Sequence, residues 1–174
     1  MKKLFFLQLL VSSCIFFNVA CAQPISIKKT VSYAKGLSNS DSRLAALLSN
    51  NTIWWCSIDK EWQQVPSDGL PKNEEIIDFE VYQKSGLMSL ETRYMILTKN
   101  NSIWWYADKN GWEQIETTSL PTNKKVKDIS VFNKGTGSYI QSVRIIAVLD
   151  DNSIWWYANT TGWQSYALTG LPIK

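Results

Sequence analysis

The sequence predicts an all-β domain of three four-stranded repeats, each of about 50 residues. Three observations carry that prediction. The stretch Asn51-Thr52-Ile53-Trp54-Trp55-Cys56 returns as Asn101-Ser102-Ile103-Trp104-Trp105-Tyr106 and again as Asn152-Ser153-Ile154-Trp155-Trp156-Tyr157, at spacings of 50 and 51 residues. Seven residues beyond each pair stands a further Trp, at 62, 112 and 163, and eight residues later a Leu-Pro step, so the nine Trp of the chain fill three columns. Finally, the apolar runs are four to six residues long and dominated by β-branched and aromatic types, which suits strands rather than helices. Self-similarity at a fixed period of this size is the mark of a repeat architecture.

Within a repeat four strands, A to D, can be read in order. Glu75 to Gln83 is strand A of the second repeat, matched by Lys125 to Phe132 and by Ile25 to Tyr33, the last shifted by about a residue. Strand B is Arg93 to Thr98, with Arg43 to Leu48 and Arg144 to Leu149 as counterparts. A polar turn of Asn and Asp leads to strand C, Ser102 to Ala107; both residue types tolerate the positive φ of tight hairpins. Asp108-Lys109-Asn110-Gly111 turns the chain into strand D, Trp112 to Thr117. Leu-Pro then ends the unit, since Pro lacks the N–H that a central strand needs. The longest irregular pieces join A to B, at Lys84 to Glu91 and Asn133 to Ser142.

Strand C decides how the repeats pack. Side chains alternate along a strand, so Ile103 and Trp105 share one face and Trp104 and Tyr106 the other. A strand apolar on both faces is covered on both. Sheets stacked face to face as β-propeller-like blades meet that need. A β-trefoil is the alternative; it accounts for the number three, but its strands line one core. Propellers have four to eight blades, so three blades leave two open faces, and a homodimer completing a six-bladed ring is the expected partner arrangement. The unit of apolar strand, Asn/Asp turn, Ile-Trp-Trp-Tyr, turn, Gly-Trp and Leu-Pro resembles the tectonin-type propeller repeat of several sugar-binding lectins, over all three repeats. That resemblance implies a non-enzymatic protein binding carbohydrate.

The ends and composition bound the rest. Met1-Lys2-Lys3 and the apolar run Leu4 to Ala20 read as a signal peptide over residues 1–22, cut before Gln23. The domain is then residues 23–174, with repeats over about 24–71, 72–121 and 122–172. Asn18-Val19-Ala20-Cys21 matches a lipoprotein signal only in its last three positions, and Val11-Ser12-Ser13-Cys14 lies inside the apolar run, so lipidation is the weaker reading. The run is shorter than the ~20 residues a membrane span needs. Removal of Lys2 and Lys3 takes the formal charge from +3 to +1; a nucleic-acid partner would call for clustered Lys and Arg.

Little chemistry is open to such a chain. It has no His, which removes imidazole general base catalysis, the Ser-His-Asp triad and imidazole metal ligands. Past the signal peptide only Cys56 remains of three cysteines, so neither a disulfide within the chain nor a thiolate metal cluster is expected, and no cofactor is. Asp78 and Asp128 share a strand A column in which the first repeat offers Lys28 or a neighbour. Arg43, Arg93 and Arg144 open strand B in every repeat. They either pair with an acid or stack over a Trp, or hold a ligand hydroxyl or carboxylate. Asp41 and Glu91 precede the first two by two residues, where the third repeat has Ser142.

Trp54, Trp55, Trp104, Trp105, Trp155 and Trp156 are expected to pack between units. Trp62, Trp112 and Trp163, beside Gln63, Gln64, Gln114 and Gln164, are candidates to offer an indole face to a sugar ring. The reading is therefore an exported, non-catalytic, carbohydrate-binding protein, periplasmic or secreted. The alternative is a periplasmic protein-binding module, an inhibitor or immunity protein against a secreted toxin or hydrolase, using the A–B loops.

Overall fold

A computed structural model describes residues 24–35, 41–85, 90–134 and 142–172. The signal peptide expected over residues 1–22 lies outside these, as do half of the second A–B loop and most of the third. The described residues hold twelve strands and no helix: β1 (Ile27–Lys35), β2 (Asp41–Leu48), β3 (Ile53–Ser57), β4 (Lys60–Gln64), β5 (Ile76–Ser85), β6 (Leu90–Thr98), β7 (Ile103–Ala107), β8 (Gly111–Ile115), β9 (Val126–Lys134), β10 (Ser142–Leu149), β11 (Ile154–Ala158) and β12 (Gly162–Ser165). They form three four-stranded sheets, each in chain order, and every ladder is antiparallel. Strands β1, β5 and β9 lie beside one another on the inside of the stack.

The alternation read in strand C holds in space. Trp104 and Tyr106 enter the seam between the first and second sheets, with Leu47, Ile53, Phe79 and Ile96. Ile103 and Trp105 enter the seam between the second and third, with Leu97, Ile129, Ala147 and Leu149. The molecule has two cores, one per seam, rather than the single core of a trefoil; the sheets are propeller-like blades. Burial of both faces of the middle sheet follows from its position, and Met95, Ile96, Leu97 and Ile103 lose all contact with water there.

The turns make the seams specific. Asn51, Asn101 and Asn152 stand at φ 63, 68 and 66°, the left-handed region that Asn reaches at low cost. In that pose Asn51 Oδ1 accepts from Ile76 N at 3.2 Å and Asn101 Oδ1 accepts from Val126 N at 2.6 Å, so the first two B–C turns are each tied to the inner strand of the following blade. Each inner strand carries a register shift near its start, between Ile27 and Lys29, between Ile76 and Asp78, and opposite the Val148/Leu149 step. Just inside the shifts, Lys29, Asp78 and Asp128 pair with the equivalent residues Leu47, Leu97 and Val148, placing the charged column of strand A along the axis where the blades meet.

Candidate functional site

Arg43 and Arg93 are held in the same way, one at the head of each seam. The Arg43 guanidinium lies 4.3 Å from the centre of the Trp55 ring and that of Arg93 3.8 Å from Trp105. Strand pairing dictates this: Ala45 faces Trp55 and Met95 faces Trp105 across neighbouring strands, so the Arg two residues earlier reaches diagonally over the indole. A carboxylate completes each cluster. Arg43 donates from Nε and Nη2 to Asp41 Oδ2 at 3.0 and 2.6 Å, and Arg93 Nε donates to Glu91 Oε2 at 2.8 Å.

The Arg side chains are almost wholly buried, whereas the acids keep about a third and a quarter of their surface in water, 35% for Asp41 and 26% for Glu91. The Arg43 hydrogen bond holds the Asp41 carboxyl below the ordinary carboxylate range. Phenols line the first cluster: Tyr33 Oη and Tyr94 Oη are 3.1 Å apart, and burial pushes both above the ordinary phenol range. Tyr82 stands in the same column as Tyr33, opposite Arg93 in the ladder. Both interactions the sequence offered for Arg, pairing with an acid and stacking on Trp, thus occur together.

The third cluster differs. The Arg144 guanidinium lies 4.7 Å from the Trp156 ring, but among the described residues no blade covers that face of the third sheet, and Ser142 occupies the acid position.

The tandem Trp are all half-buried. Trp55, Trp104, Trp105 and Trp155 pack in the seams as expected, whereas Trp54 and Trp156, on the outer faces of the end sheets, belong to neither core. The first of each pair has its own polar anchor. Trp54, Trp104 and Trp155 donate Nε1 to the hydroxyls of Thr52, Ser102 and Ser153 at 3.0, 2.9 and 3.3 Å. The column expected to show its indole faces meets a different geometry. Trp112 and Trp163 keep only 8% and 3% of their surface; their Nε1 atoms donate to Pro66 O and Glu116 O of the preceding blade at 2.7 and 2.8 Å, and their rings tilt onto Tyr106 and Tyr157. Trp62 is 46% exposed because no blade among the described residues packs on that face. What varies along this column is the neighbour, and strand-by-strand reading has no term for it.

Asp78 and Asp128 sit on the axis as a like-charged pair beside Lys29, which donates to Asp78 Oδ1 and Glu80 Oε1, both at 2.7 Å. Asp78 Oδ2 accepts from Ile129 N at 3.0 Å. Loss of water around its carboxyl, then the facing Asp78, push Asp128 above the ordinary carboxylate range. No group of three or more His, Cys, Asp or Glu among the described residues could hold a metal ion, and no helix there is long and apolar enough to cross a membrane.

No family model matches the sequence, and no curated protein does. Among solved structures the chain is similar to a fucose lectin from Kordia zhangzhouensis in complex with methyl-fucoside, at 15% identity and a TM-score of 0.49, covering 80% of this chain and 98% of that one. It is similar also to a variant of the Aleuria aurantia lectin in complex with Fucα1-6GlcNAc, at 18% identity and a TM-score of 0.48. A third similar structure is the Aleuria lectin described as a six-bladed β-propeller, at 17% identity and a TM-score of 0.47. The chain spans about half of that lectin, 47% of its length against 80% and 79% of its own.

Proposed function

We propose that the protein is a non-catalytic carbohydrate-binding protein whose sugar sites are the Arg-on-Trp clusters at the heads of the seams. One observation supports this above others: an Arg fork and a part-exposed carboxylate, fixed side by side on an indole, in both complete seams. Asp41 and Glu91 would repel a free phosphate or carboxylate, and Arg43 and Arg93 would repel a cation. A neutral polyol suits both, because each hydroxyl donates and accepts: one can give its proton to Asp41 or Glu91 while its neighbour accepts from the guanidinium. The described bonds leave further N–H groups on each Arg for that purpose. The tectonin-like repeat points to the same ligand class. Export through the N-terminal segment belongs to this reading, and N-terminal sequencing of the recovered protein checks it: cleavage leaves Gln23 first.

The fucosides held by the similar lectins make methyl-fucoside the natural first probe, with a glycan array for breadth. Titration of the chain with the glycans that bind should saturate, and the double variant Arg43→Ala, Arg93→Ala should lose at least tenfold in affinity while keeping its melting transition. Binding unchanged in that variant, or an array without any signal, overturns the reading.

A further inference from the structure

The stack of blades has two ends, and both expose residues whose counterparts inside the stack are buried. On the outer face of the first sheet Trp62 is 46% exposed, against 8% and 3% for Trp112 and Trp163, and Leu44 and Ile27 are exposed where Tyr94, Ile145, Ile76 and Val126 are buried. On the outer face of the third sheet Tyr166 is 56% exposed, against 4% and 3% for Val65 and Ile115, and Ile146 and Val148 are half-buried where Met95 and Leu97 are sealed.

These faces are not alike. They are the two halves of one seam. The first sheet offers what the second and third sheets present backward; the third sheet offers what the first and second present forward. Polar groups match in the same sense. Trp62 Nε1 is the counterpart of the donors on Trp112 and Trp163, and the exposed Ala167 carbonyl is the counterpart of the acceptors Pro66 O and Glu116 O. Asn152, exposed at φ 66°, is the counterpart of Asn51 and Asn101, which tie down the next inner strand at Ile76 N and Val126 N; the matching amide is that of Ile27. Charge matches too: Asp128 ends the axial column at one face and Lys29 begins it at the other.

We propose that a second copy of this chain covers both ends at once. The third sheet of each copy packs on the first sheet of the other, closing six blades into a ring with two new seams built like the two internal ones. Trp62 of the partner subunit then donates to Ala167 O, Asn152 receives the amide of the partner's Ile27, and Asp128 comes beside the partner's Lys29. Each seam joins unlike faces, and because a twofold axis relates the two copies the two new seams are identical. If the sugar-binding reading holds, the pair also supplies the missing wall of the Arg144–Trp156 cluster; the assembly test below does not depend on that reading.

Sedimentation velocity of the purified full chain should show, at about 100 μM, a species of twice the chain mass, where a monomer throughout would overturn the proposal. Trp62→Arg and Tyr166→Arg lie on opposite ends, and each alone should sediment as a monomer that keeps its β-sheet signal and melts in a single transition. Mixed in equal amounts they should recover a dimer, because one of its two seams then joins an intact third sheet to an intact first sheet. A dimer that tolerates Tyr166→Arg, or a mixture that stays monomeric, overturns the arrangement. Should either variant fail to fold, Leu44→Arg and Ile146→Arg repeat the test on the same faces with the same outcomes.

Discussion

Trp112 shows how one side chain serves two roles. Its ring fills the first seam and its Nε1 satisfies the Pro66 carbonyl of the blade before. Trp112→Phe keeps an aromatic ring but loses the bond and part of the buried indole volume, and should cost about 1–3 kcal/mol. Trp112→Ala empties the site and should cost about 3–5 kcal/mol. Urea unfolding of both variants checks the order, and Trp62→Ala, measured in dilute solution where chains are single, should cost clearly less than Trp112→Ala. The sequence shows that these Trp are equivalent by column. It does not show that one is 46% exposed and another 3%, because burial here is conferred by the adjoining blade. The Arg column was legible for the opposite reason: Arg93, Glu91 and Trp105 sit on adjacent strands of one sheet, so their meeting is fixed by local register.

At the scale of the element, the B–C turn both reverses the chain and fastens one blade to the next. Asn101 makes the separation measurable. Asn101→Gly keeps the left-handed backbone and loses the bond to Val126 N, about 1 kcal/mol. Asn101→Ala loses the bond and, unlike Gly, keeps a Cβ at φ 68° without the short polar side chain that lets Asn adopt it, a further cost of about 1 kcal/mol. The Gly variant should therefore unfold at higher urea than the Ala variant, and both below the wild type. Strand positions and these turns could be read in advance because alternation and turn chemistry are short-range. The inner strands were read less fully: Lys28, Ile77 and Lys127 are the extra residues at their register shifts, and a bulge leaves no periodic trace. The bulge is common to all three repeats; the first runs a residue out of step because its A–B connection is one residue shorter than the second, so that Lys29, rather than Lys28, joins the column of Asp78 and Asp128.

For the whole molecule the axial charges set a pH dependence. Asp128 has a folded pKa above its unfolded one, so the folded chain holds its proton more tightly and loses stability as pH rises through that folded value. Asp128→Asn should raise the melting temperature of the dilute chain at pH 7, and the gain should vanish below about pH 3, where both forms of the wild type are protonated. Asp151 runs the other way: hydrogen bonds from Ser153, then Lys124, hold its carboxyl at about 2, so what it contributes is present above the ordinary carboxylate range and fades as pH falls toward that value.

The proposed pairing of two unlike ends has one more consequence. Head-to-tail addition stops only if the turn from blade to blade brings the second copy back to the start. A substitution that splayed a seam, at Gly69 for instance, whose φ of 95° shapes the link between the first two blades, would leave the last end reaching past the first. The same surfaces would then add copy after copy, and the expected failure of such a mutant is a growing fibre.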